Sequence, residues 1–227
     1  MLRQIPIYIT VTNLNGGRIY FNSKGMDIMS IIQTEEYKGN REVYNTILAR
    51  RSIRGFTDKK VSREDICTLL KAGMAAPSAC NLQPWCFIVV DEEERLDALY
   101  DCANQGKYYA PLAIIVCGTN SHIPWKDNGW LFDIGACAQN IMLECVELGL
   151  ASVCIGGFDE GRLKEIFAIP EDVQPACILE IGYPAWERKP ISWYTEEAVH
   201  WQIYDATRER KMRTLEDLQK DIKAGLV

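Results

Sequence analysis

Residues 50–54 contain the densest group of basic side chains before the C-terminal region. Three guanidiniums and one hydroxyl lie within five residues, in the order Arg50, Arg51, Ser52, Ile53 and Arg54. Arginine binds a phosphate group through two parallel hydrogen bonds and keeps its charge, and a serine hydroxyl adds a compact donor. The segment is therefore a candidate phosphate site, although taken alone it is better explained as a solvated basic helix end.

A second candidate, residues 75–85, runs from the end of a predicted helix into a predicted strand. Its sequence is AAPSACNLQPW, in which the small residues allow the backbone to approach a flat ligand closely. Asn81 and Gln83 each carry an amide that donates and accepts hydrogen bonds, which suits a flat ring whose edge carries both donors and acceptors. Taken alone, this segment is better explained as an ordinary loop followed by a packed tryptophan.

The elements that position these two segments are helices that alternate with short apolar strands. Ser62 followed by Asp65 predicts a helix start, and Pro77 predicts that the helix ends near Ala76. This alternation predicts a sheet covered by helices on both faces, and the GxGxxG fingerprint of dinucleotide-binding folds is absent. Helices are predicted at 43–51, 63–76, 92–103, 129–149, 160–167 and 214–224, and strands at 85–90, 111–118, 151–155 and 176–182.

The longest predicted helix, residues 129–149, carries a broad apolar stripe and can be closed by Gly149. The shorter helix near 92–103 is predicted to begin with a capping box formed by Asp91 and Glu94. The stripe of the long helix consists of Leu131, Ile134, Cys137, Ile141, Met142, Cys145 and Leu148.

The composition limits the class of protein. Hydrophobic residues make up 48% and charged residues 25% of the 227 residues, which is ordinary for a globular protein with one buried core. The formal net charge of −6 argues against nucleic-acid binding, because such proteins usually carry a basic face. No apolar run approaches the about 18–20 residues that span a bilayer. We therefore expect neither nucleic acid nor membrane as a partner.

The nine cysteines show no CxxC spacing, and most lie within apolar runs. A disulfide framework or a zinc site is therefore not expected, and we predict buried, reduced thiols in a cytoplasmic protein. His122 and His200 are the two histidines of the chain, so a histidine-based triad has few candidates. His200 is interpreted as structural, and no metal site is predicted.

Residues 1–40 are predicted to form an N-terminal extension outside the core fold, which occupies residues 41–227. An apolar stretch from Ile5 to Val11 is too short for a signal peptide and precedes the turn-forming sequence Asn-Leu-Asn-Gly-Gly. Two alternatives stay open for the extension: partial disorder, and an upstream start codon with Met26 or Met29 as the true first residue.

In their order and separation, the two candidate segments resemble the nitroreductase family of FMN enzymes, and the resemblance covers about residues 43 to 204. It implies an α+β fold with a central, mainly antiparallel or mixed sheet flanked by helices. It also implies an intertwined homodimer with the FMN sites at the interface, for which helix 129–149 is the candidate core. The matching segments are RRSIRGF at 50–56, APSACNLQPW at 76–85, the long helix with Asp133, Gln139 and Asn140, LGLASVCIGGF at 148–158, IGYPAWERKP at 181–190, and His200-Trp201.

The resemblance assigns the basic cluster to the cofactor. Arg50 and Ser52, helped by Arg51, would hold the FMN phosphate, and Arg54 would lie near N1 and O2 of the isoalloxazine. A fixed cation at that edge stabilises the negative charge that reduction places on N1. The chemistry is thus carried by FMN, with Arg54 tuning N1 and O2, and no catalytic protein residue is assigned.

The second segment would contact the FMN bound mainly by the other subunit. The resemblance places Pro77, Ser78 and Ala79 against that cofactor, while Asn81 and Gln83 support the loop or the ring.

A third stretch follows the predicted strand 151–155. By resemblance, Ile155, Gly156 and Gly157 would offer backbone N–H groups to flavin N5 and O4, and glycine lets the amide come close. A simple turn from strand to helix also explains the two glycines, and both interpretations can hold.

The sequence departs from the family pattern in one place. Related chains often carry an arginine after the GYP segment that completes the phosphate site, and Trp193 stands at that position here. We expect Arg188 or Lys189 to take its role from a few residues earlier.

The implied activity is that of an oxidoreductase with ping-pong kinetics, which passes hydride from NADH or NADPH through flavin N5 to a nitroaromatic or a quinone. The alternatives are a relative with other flavin chemistry, such as reductive dehalogenation or flavin cleavage, a non-catalytic flavin-binding protein, and a packed domain without cofactor. Residues 103–130 are expected to contribute to a lid. Within it, packing is favoured over substrate stacking for Tyr108, Tyr109, Trp125 and Trp130.

Overall fold

The computed structural model describes residues 9–12, 18–21, 42–104, 106–119, 129–186, 190, 196–208 and 213–223. The chain divides into two compact units, Met1–Arg41 and Glu42–Val227. In the first unit, β1 (Ile9–Thr12) and β2 (Arg18–Phe21) pair as antiparallel strands. The second unit carries all the candidate site residues.

A four-stranded antiparallel sheet forms the centre of the second unit. Its strands are β3 (Trp85–Val90), β4 (Leu112–Thr119), β5 (Ala151–Ile155) and β6 (Val173–Gly182), in the spatial order β3-β4-β6-β5. The central strand β4 is buried from Leu112 to Gly118. Edge strand β3 is mostly half-buried and exposes Cys86. The prediction of a strand at 85–90 is confirmed, but its full burial is wrong because an edge strand has a neighbour on one side only.

The α-helices in the described residues match the predicted ones to within two residues at each end, whereas the short 3-10 helices at Ala79–Asn81 and Glu196–Ala198 were not predicted. The prediction that Ser62 caps the second helix is confirmed, since its Oγ accepts a hydrogen bond from the Asp65 N–H at 3.0 Å. The predicted Asp91–Glu94 capping box is wrong, because Glu92 is the N-cap residue and its side chain makes no capping hydrogen bond. The helices are α1 (Glu42–Ala49), α2 (Arg63–Met74), α3 (Glu93–Cys102), α4 (Gly129–Glu147), α5 (Glu160–Phe167) and α6 (Leu215–Lys223).

Gly149 ends α4 as predicted. Its φ angle is 68°, in the left-handed region that glycine adopts without a steric cost. The Gly149 N–H donates to the Val146 carbonyl at 3.1 Å, and the Leu150 N–H donates to the Cys145 carbonyl at 2.7 Å. These two bonds form a Schellman motif, which turns the chain directly from α4 into β5.

Helices cover both faces of the sheet, as predicted. Helices α2 and α4 pack on one face with Ile66, Leu69 and Ile141, and α3 and α5 pack on the other with Leu99 and Leu163. The expectation of an α+β fold with a helix-flanked sheet is therefore confirmed.

The predicted apolar stripe of α4 is right in its middle and wrong at its start. Ile134, Cys137, Ile141 and Cys145 are buried, but Leu131 is 48% exposed, and Trp130, which lies outside the predicted stripe, is buried instead. The Trp130 ring occupies the space above Gly118 of β4, where a Cβ atom would lie 2.4 Å from Trp130 Cε3. The absence of a side chain at residue 118 therefore sets the rotation of α4 at this end.

Candidate functional site

The basic segment 50–54 leaves α1 and runs beside the exposed edge of β5. Ser52 forms a parallel bridge with Ser152, and the Ile53 N–H donates to the Ser152 carbonyl at 3.1 Å. The Ile53 side chain is buried in the protein. Further along, the Ala185 N–H donates to the Gly55 carbonyl at 3.0 Å. The segment is thus held at both ends, so its arginines extend from a fixed backbone.

One cleft, with a volume of about 310 Å³, lies between this segment and the C-terminal end of α4. Arg50 and Arg51 line it from one side, and Gly149 and Ser152 lie in its wall. Trp186 closes another part of the wall. Two guanidiniums in a cleft of this size form a suitable site for one anionic group.

Ser52 itself is not among the residues that line this cleft, although it is half-buried and adjoins it in the chain. Ser152, which the sequence analysis did not single out, lies there instead and is almost completely buried. No sequence signal marks Ser152, because its place follows from a main-chain bridge between distant segments.

A second cleft, of about 330 Å³, lies at the C-terminal end of β5. Arg54 lines it together with Ile155, Gly156 and Gly157, so the structure brings these four predicted residues together. The Arg54 Nη1 donates to the Ser52 carbonyl at 3.5 Å, and its Cζ lies 5.9 Å from the centre of the Tyr108 ring. Both contacts restrict where this guanidinium can point.

The two glycines in this cleft have open space above them. A Cβ atom added to Gly156 or Gly157 would meet nothing within 4 Å, and neither residue has a positive φ angle. Packing within the protein and left-handed backbone geometry therefore do not account for glycine at these positions. The open space lies where a flat ligand could approach the backbone.

A strap, which we define as residues 106–111, forms the wall opposite the glycines. Just before it, the Asn104 N–H donates to the Gly157 carbonyl at 3.1 Å, which fixes the chain against the turn after β5. Within the strap, Tyr108 lines the cleft. Tyr109 is 68% exposed, and its ring packs edge-on against Tyr100 at a centroid distance of 5.1 Å. Of the predicted lid aromatics, Trp130 packs in the core, and Trp125 lies outside the described residues.

Glu180 of β6 lies beneath the strap and is 1% exposed. Its Oε2 accepts a hydrogen bond from the Tyr108 N–H at 3.2 Å. Removal from water raises the pKa of this carboxyl from 4.5 to about 7, although hydrogen bonds from the backbone of Ala110 and Tyr108 favour the ionised form. The sequence analysis missed Glu180, although a charged residue inside the apolar run ACILEIG is a visible signal.

The loop 77–83 is ordered by its own hydrogen bonds. The Ala79 N–H donates to both carboxylate oxygens of buried Asp133, at 3.3 and 3.2 Å. Ser78 Oγ accepts from the Gln83 N–H at 3.0 Å, and Gln83 Nε2 donates to Asn81 Oδ1 at 3.0 Å. The amides of Asn81 and Gln83 thus bind each other in this structure, while Pro77 is exposed.

The structure does not bring this loop to the basic segment within one chain. The loop leads into β3, whereas the basic segment borders β5, and these two strands are the opposite edges of the sheet. Three strand spacings separate the edges, which is about 14 Å. No residue from 77 to 83 lines either cleft.

The thiols are less buried than predicted. Five cysteines are buried, but Cys67, Cys80, Cys86 and Cys154 are exposed. Cys154 lines the second cleft, where a hydrogen bond from Cys177 and the positive charge of Arg50 lower its pKa. No base is needed for this effect, and both cysteines are free thiols.

Several predicted residues lie outside the described part of the chain, namely Arg188, Lys189, Trp193 and His122. His200 is described: its Nδ1 accepts from the Asp205 N–H at 3.1 Å, and its ring stacks on Tyr204 at 4.2 Å. In the described residues, no group of three or more His, Cys, Asp or Glu side chains could hold a metal ion. Among the helices that the structure describes, none is long and apolar enough to cross a membrane.

Comparison with known proteins agrees with this arrangement. The model of the nitroreductase family matches residues 47–114 and 126–183, which include the basic segment, the loop 77–83, the second cleft and most of the first. The chain belongs to the nitroreductase family. The resemblance inferred from the ordered motifs is therefore confirmed.

Relatives of this nitroreductase-family chain match most of its second unit. A protein from Archaeoglobus fulgidus with the provisional name NADH dehydrogenase/NAD(P)H nitroreductase is 38% identical over 153 residues, which are 65% of this chain and 88% of that protein. A solved structure of a similarly named protein from Bacteroides thetaiotaomicron has a TM-score of 0.67 at 32% identity and covers 74% of this chain and 100% of its own. An FMN-dependent nitroreductase from Clostridium difficile has a TM-score of 0.64 at 31% identity, with coverages of 71% and 99%.

Proposed function

We propose that this chain is an FMN-dependent oxidoreductase that takes hydride from NADH or NADPH and reduces an electron-poor acceptor such as a nitroaromatic or a quinone. The proposal is carried by the two adjoining clefts along residues 50–54, one with two guanidiniums and one with Arg54 beside open backbone. Family membership and the names of the relatives support the same cofactor and electron donor.

The first cleft suits the phosphate of FMN. Arg50 and Arg51 supply permanent positive charge and several N–H donors, and the buried Ser152 and adjoining Ser52 supply hydroxyl groups. Because the backbone of residues 52–55 is bonded to β5 and to Ala185, the arginines bind the phosphate without a large loss of backbone entropy.

The second cleft suits the isoalloxazine ring. The open space above Gly156 and Gly157 allows the ring edge to approach their backbone, as the resemblance requires of N5 and O4. Arg54 lies in the same cleft, positioned by Tyr108 and by the Ser52 carbonyl. We assign it to the N1 and O2 edge, where a fixed cation stabilises negative charge on the reduced ring.

A second copy of the chain completes the site. The loop 77–83 lies at the opposite edge of the sheet from the clefts, so the contacts of Pro77, Ser78 and Ala79 with the cofactor require the partner subunit. Exposed apolar side chains on α1 and α4 favour such an association: Val43 is 72% and Phe132 77% exposed. A symmetric homodimer then builds two identical sites from shared parts.

FMN, when bound, supplies the hydride chemistry at N5. The protein binds and orients it at the second cleft, where donor and acceptor bind in turn. Because the nicotinamide must leave before the acceptor binds at the same position, we expect ping-pong kinetics.

The test uses the full chain reconstituted with FMN and the free cofactor removed. We expect a yellow protein that is bleached by NADH or NADPH without oxygen and regains its colour with a nitroaromatic or a quinone. Bleaching without recovery by either acceptor would favour another flavin chemistry. A coloured protein that no nicotinamide bleaches would favour a non-catalytic flavin-binding protein, and failure to hold FMN would overturn the proposal.

A further inference from the structure

Glu180 is an unusual residue for its position. It lies in the middle of β6, directly opposite Ala113 of β4 and Val153 of β5, and so faces the apolar core under α3 and α5. It is one of two carboxylates among the buried residues that the structure describes, and the other, Asp133, caps the loop 77–83. A buried carboxylate costs free energy, so its hydrogen bonds indicate what it stabilises.

Those hydrogen bonds go to the strap. Glu180 Oε2 accepts from the Tyr108 N–H at 3.2 Å, and the backbone of Ala110 also donates to this carboxylate. From the other side, the Tyr100 hydroxyl donates to the Ala110 carbonyl at 2.7 Å. The Glu180 carboxylate therefore binds the N–H groups of Tyr108 and Ala110, and the Tyr100 hydroxyl binds the carbonyl of Ala110. Together they fix the backbone of residues 108–110.

The strap needs such support because its backbone is strained at Tyr109. This residue has a φ of 52°, which is unfavourable for a residue with a side chain. Tyr109 directly follows Tyr108, whose ring lies 5.9 Å from the Arg54 guanidinium in the second cleft. Release of the strap would therefore move a wall of the cleft and remove one of the two contacts that restrict Arg54.

Few ionisable groups compete for this carboxylate. Tyr100 of α3 and Tyr109 of the strap are the neighbouring phenols, Asp97 of α3 lies beyond Tyr100, and Arg54 lies beyond the Tyr108 ring. No described Lys, Arg or His forms an ion pair with Glu180 within 4.0 Å. The charge on Glu180 is therefore balanced chiefly by the strap backbone.

We propose that Glu180 is a positioning residue whose ionised carboxylate holds the strap and Tyr108 against the Arg54 cleft, and that protonation of the carboxyl, while it stays buried in β6, loosens this hold. This inference rests on the proposed function only where it concerns FMN; the grip on the strap is a property of the protein alone. Ionised Glu180 accepts both backbone N–H groups with full charge, whereas the neutral acid or a glutamine accepts them weakly. FMN affinity then gains a pH dependence in addition to the one that the FMN phosphate itself supplies.

The experiment compares the wild-type chain with Glu180→Gln between pH 6 and pH 8. In the apoprotein, amide hydrogen exchange of residues 106–110, corrected for the intrinsic rate, should show greater protection in the wild type at pH 8 and equal protection at pH 6. In the second arm, FMN affinity is measured by flavin fluorescence. The ratio of wild-type to variant affinity should rise about fivefold from pH 6 to pH 8, as expected for the loss of one net hydrogen bond. Protonation of the FMN phosphate affects both proteins equally and cancels in this ratio.

Asp101→Asn is the matched control, because Asp101 contacts the same strap from outside through an exposed ion pair with Lys107 at 3.4 Å. It should leave both readouts close to wild type. Equal strap protection in wild type and Glu180→Gln at every pH would overturn the inference, even if FMN binds. If the chain bound no FMN but the strap protection differed as described, the proposed function would fail while the inference on Glu180 would stand.

Discussion

Ser52 forms a parallel β-bridge with Ser152, in which the Ile53 N–H donates to the Ser152 carbonyl, although one hundred residues separate the two serines in the sequence. This bridge attaches the basic segment to the edge of β5 and places its arginines in two neighbouring clefts. The parallel bridge also gives a local mixed character to an otherwise antiparallel sheet. The proposed cofactor site thus depends on sheet geometry as much as on the charged side chains.

Arg50→Ala should weaken FMN binding by about 10- to 100-fold, because a hydrogen bond to a charged group contributes about 1.5–3 kcal/mol. The measurement is a fluorescence titration of the apoprotein with FMN and with riboflavin, which lacks the phosphate. Riboflavin affinity should stay close to wild type. Arg63→Ala is the control, since it removes the same charge from the exposed first turn of α2. An equal loss of affinity for FMN and riboflavin would show that Arg50 does not bind the phosphate.

Gly157→Ala should weaken FMN binding while leaving the apoprotein as stable as the wild type. The new methyl group meets no protein atom within 4 Å but enters the space proposed for the ring edge. Gly118→Ala should instead destabilise the apoprotein and leave FMN affinity unchanged, because its Cβ would lie 2.4 Å from Trp130. Overpacking of that kind should lower the free energy of unfolding by about 1–3 kcal/mol. Denaturant unfolding and FMN titration of both variants check this, and unchanged FMN affinity in Gly157→Ala would contradict the ring placement.

The fold was predictable where the signals are local. Ser62, Asp159 and Gly149 mark helix ends by their own hydrogen bonds or φ angles. Apolar patterns and these end signals predicted each α-helix and strand that the structure describes in the second unit. The exposure of Cys86 was not predictable, because it follows from the strand order. The burial of Trp130 in place of Leu131 depends on Gly118 of another element.

The candidate site likewise has features that local sequence signals predict and features that depend on contacts between distant elements. The types and spacing of residues 50–54 make this segment a candidate anion site, and its order and separation from residues 76–85 favour that interpretation over a solvated basic helix end. The roles of Ser152, Asn104 and Glu180 arise from pairing between β5, β6 and the strap, which the order of residues does not encode locally. The cooperation of Arg50 with Pro77 stays a prediction, because it requires a second chain.

Mixing two variants with weakened FMN binding tests that shared site, at an FMN concentration that saturates the wild type alone. Arg50→Ala weakens the phosphate cleft, and Pro77→Trp puts a large side chain on a loop residue that is exposed within its own chain. In a symmetric dimer, one site of each mixed dimer combines the intact parts of both chains, so refolding the variants together should restore about one FMN site per mixed dimer. Bound FMN is counted by absorbance after gel filtration. No restored binding, with mixed dimers shown by mass spectrometry, would mean that both parts act within one chain.

The stability of the apoprotein should depend on pH through Glu180. Burial raises the pKa of this carboxyl from 4.5 to about 7, so between these values the native state binds more protons than the unfolded chain. Stability therefore falls as pH rises through this window, by up to about 3 kcal/mol, and the loss is complete above pH 7. Glu180→Gln carries no such charge, so it should match the wild type near pH 4.5 and exceed its free energy of unfolding at pH 8.

The expected effect of Glu180→Gln on the free energy of unfolding has the opposite sign to its expected effect on the amide protection of the strap. At pH 8 the glutamine variant should be globally more stable in urea and yet locally less protected at residues 106–110. A residue that served packing alone would change both readouts in the same direction. If Glu180→Gln were less stable than the wild type at pH 8, the ionised carboxylate would stabilise the fold as a whole. The free-energy cost of burying its charge would then not be offset specifically by the contacts with the strap and Tyr108.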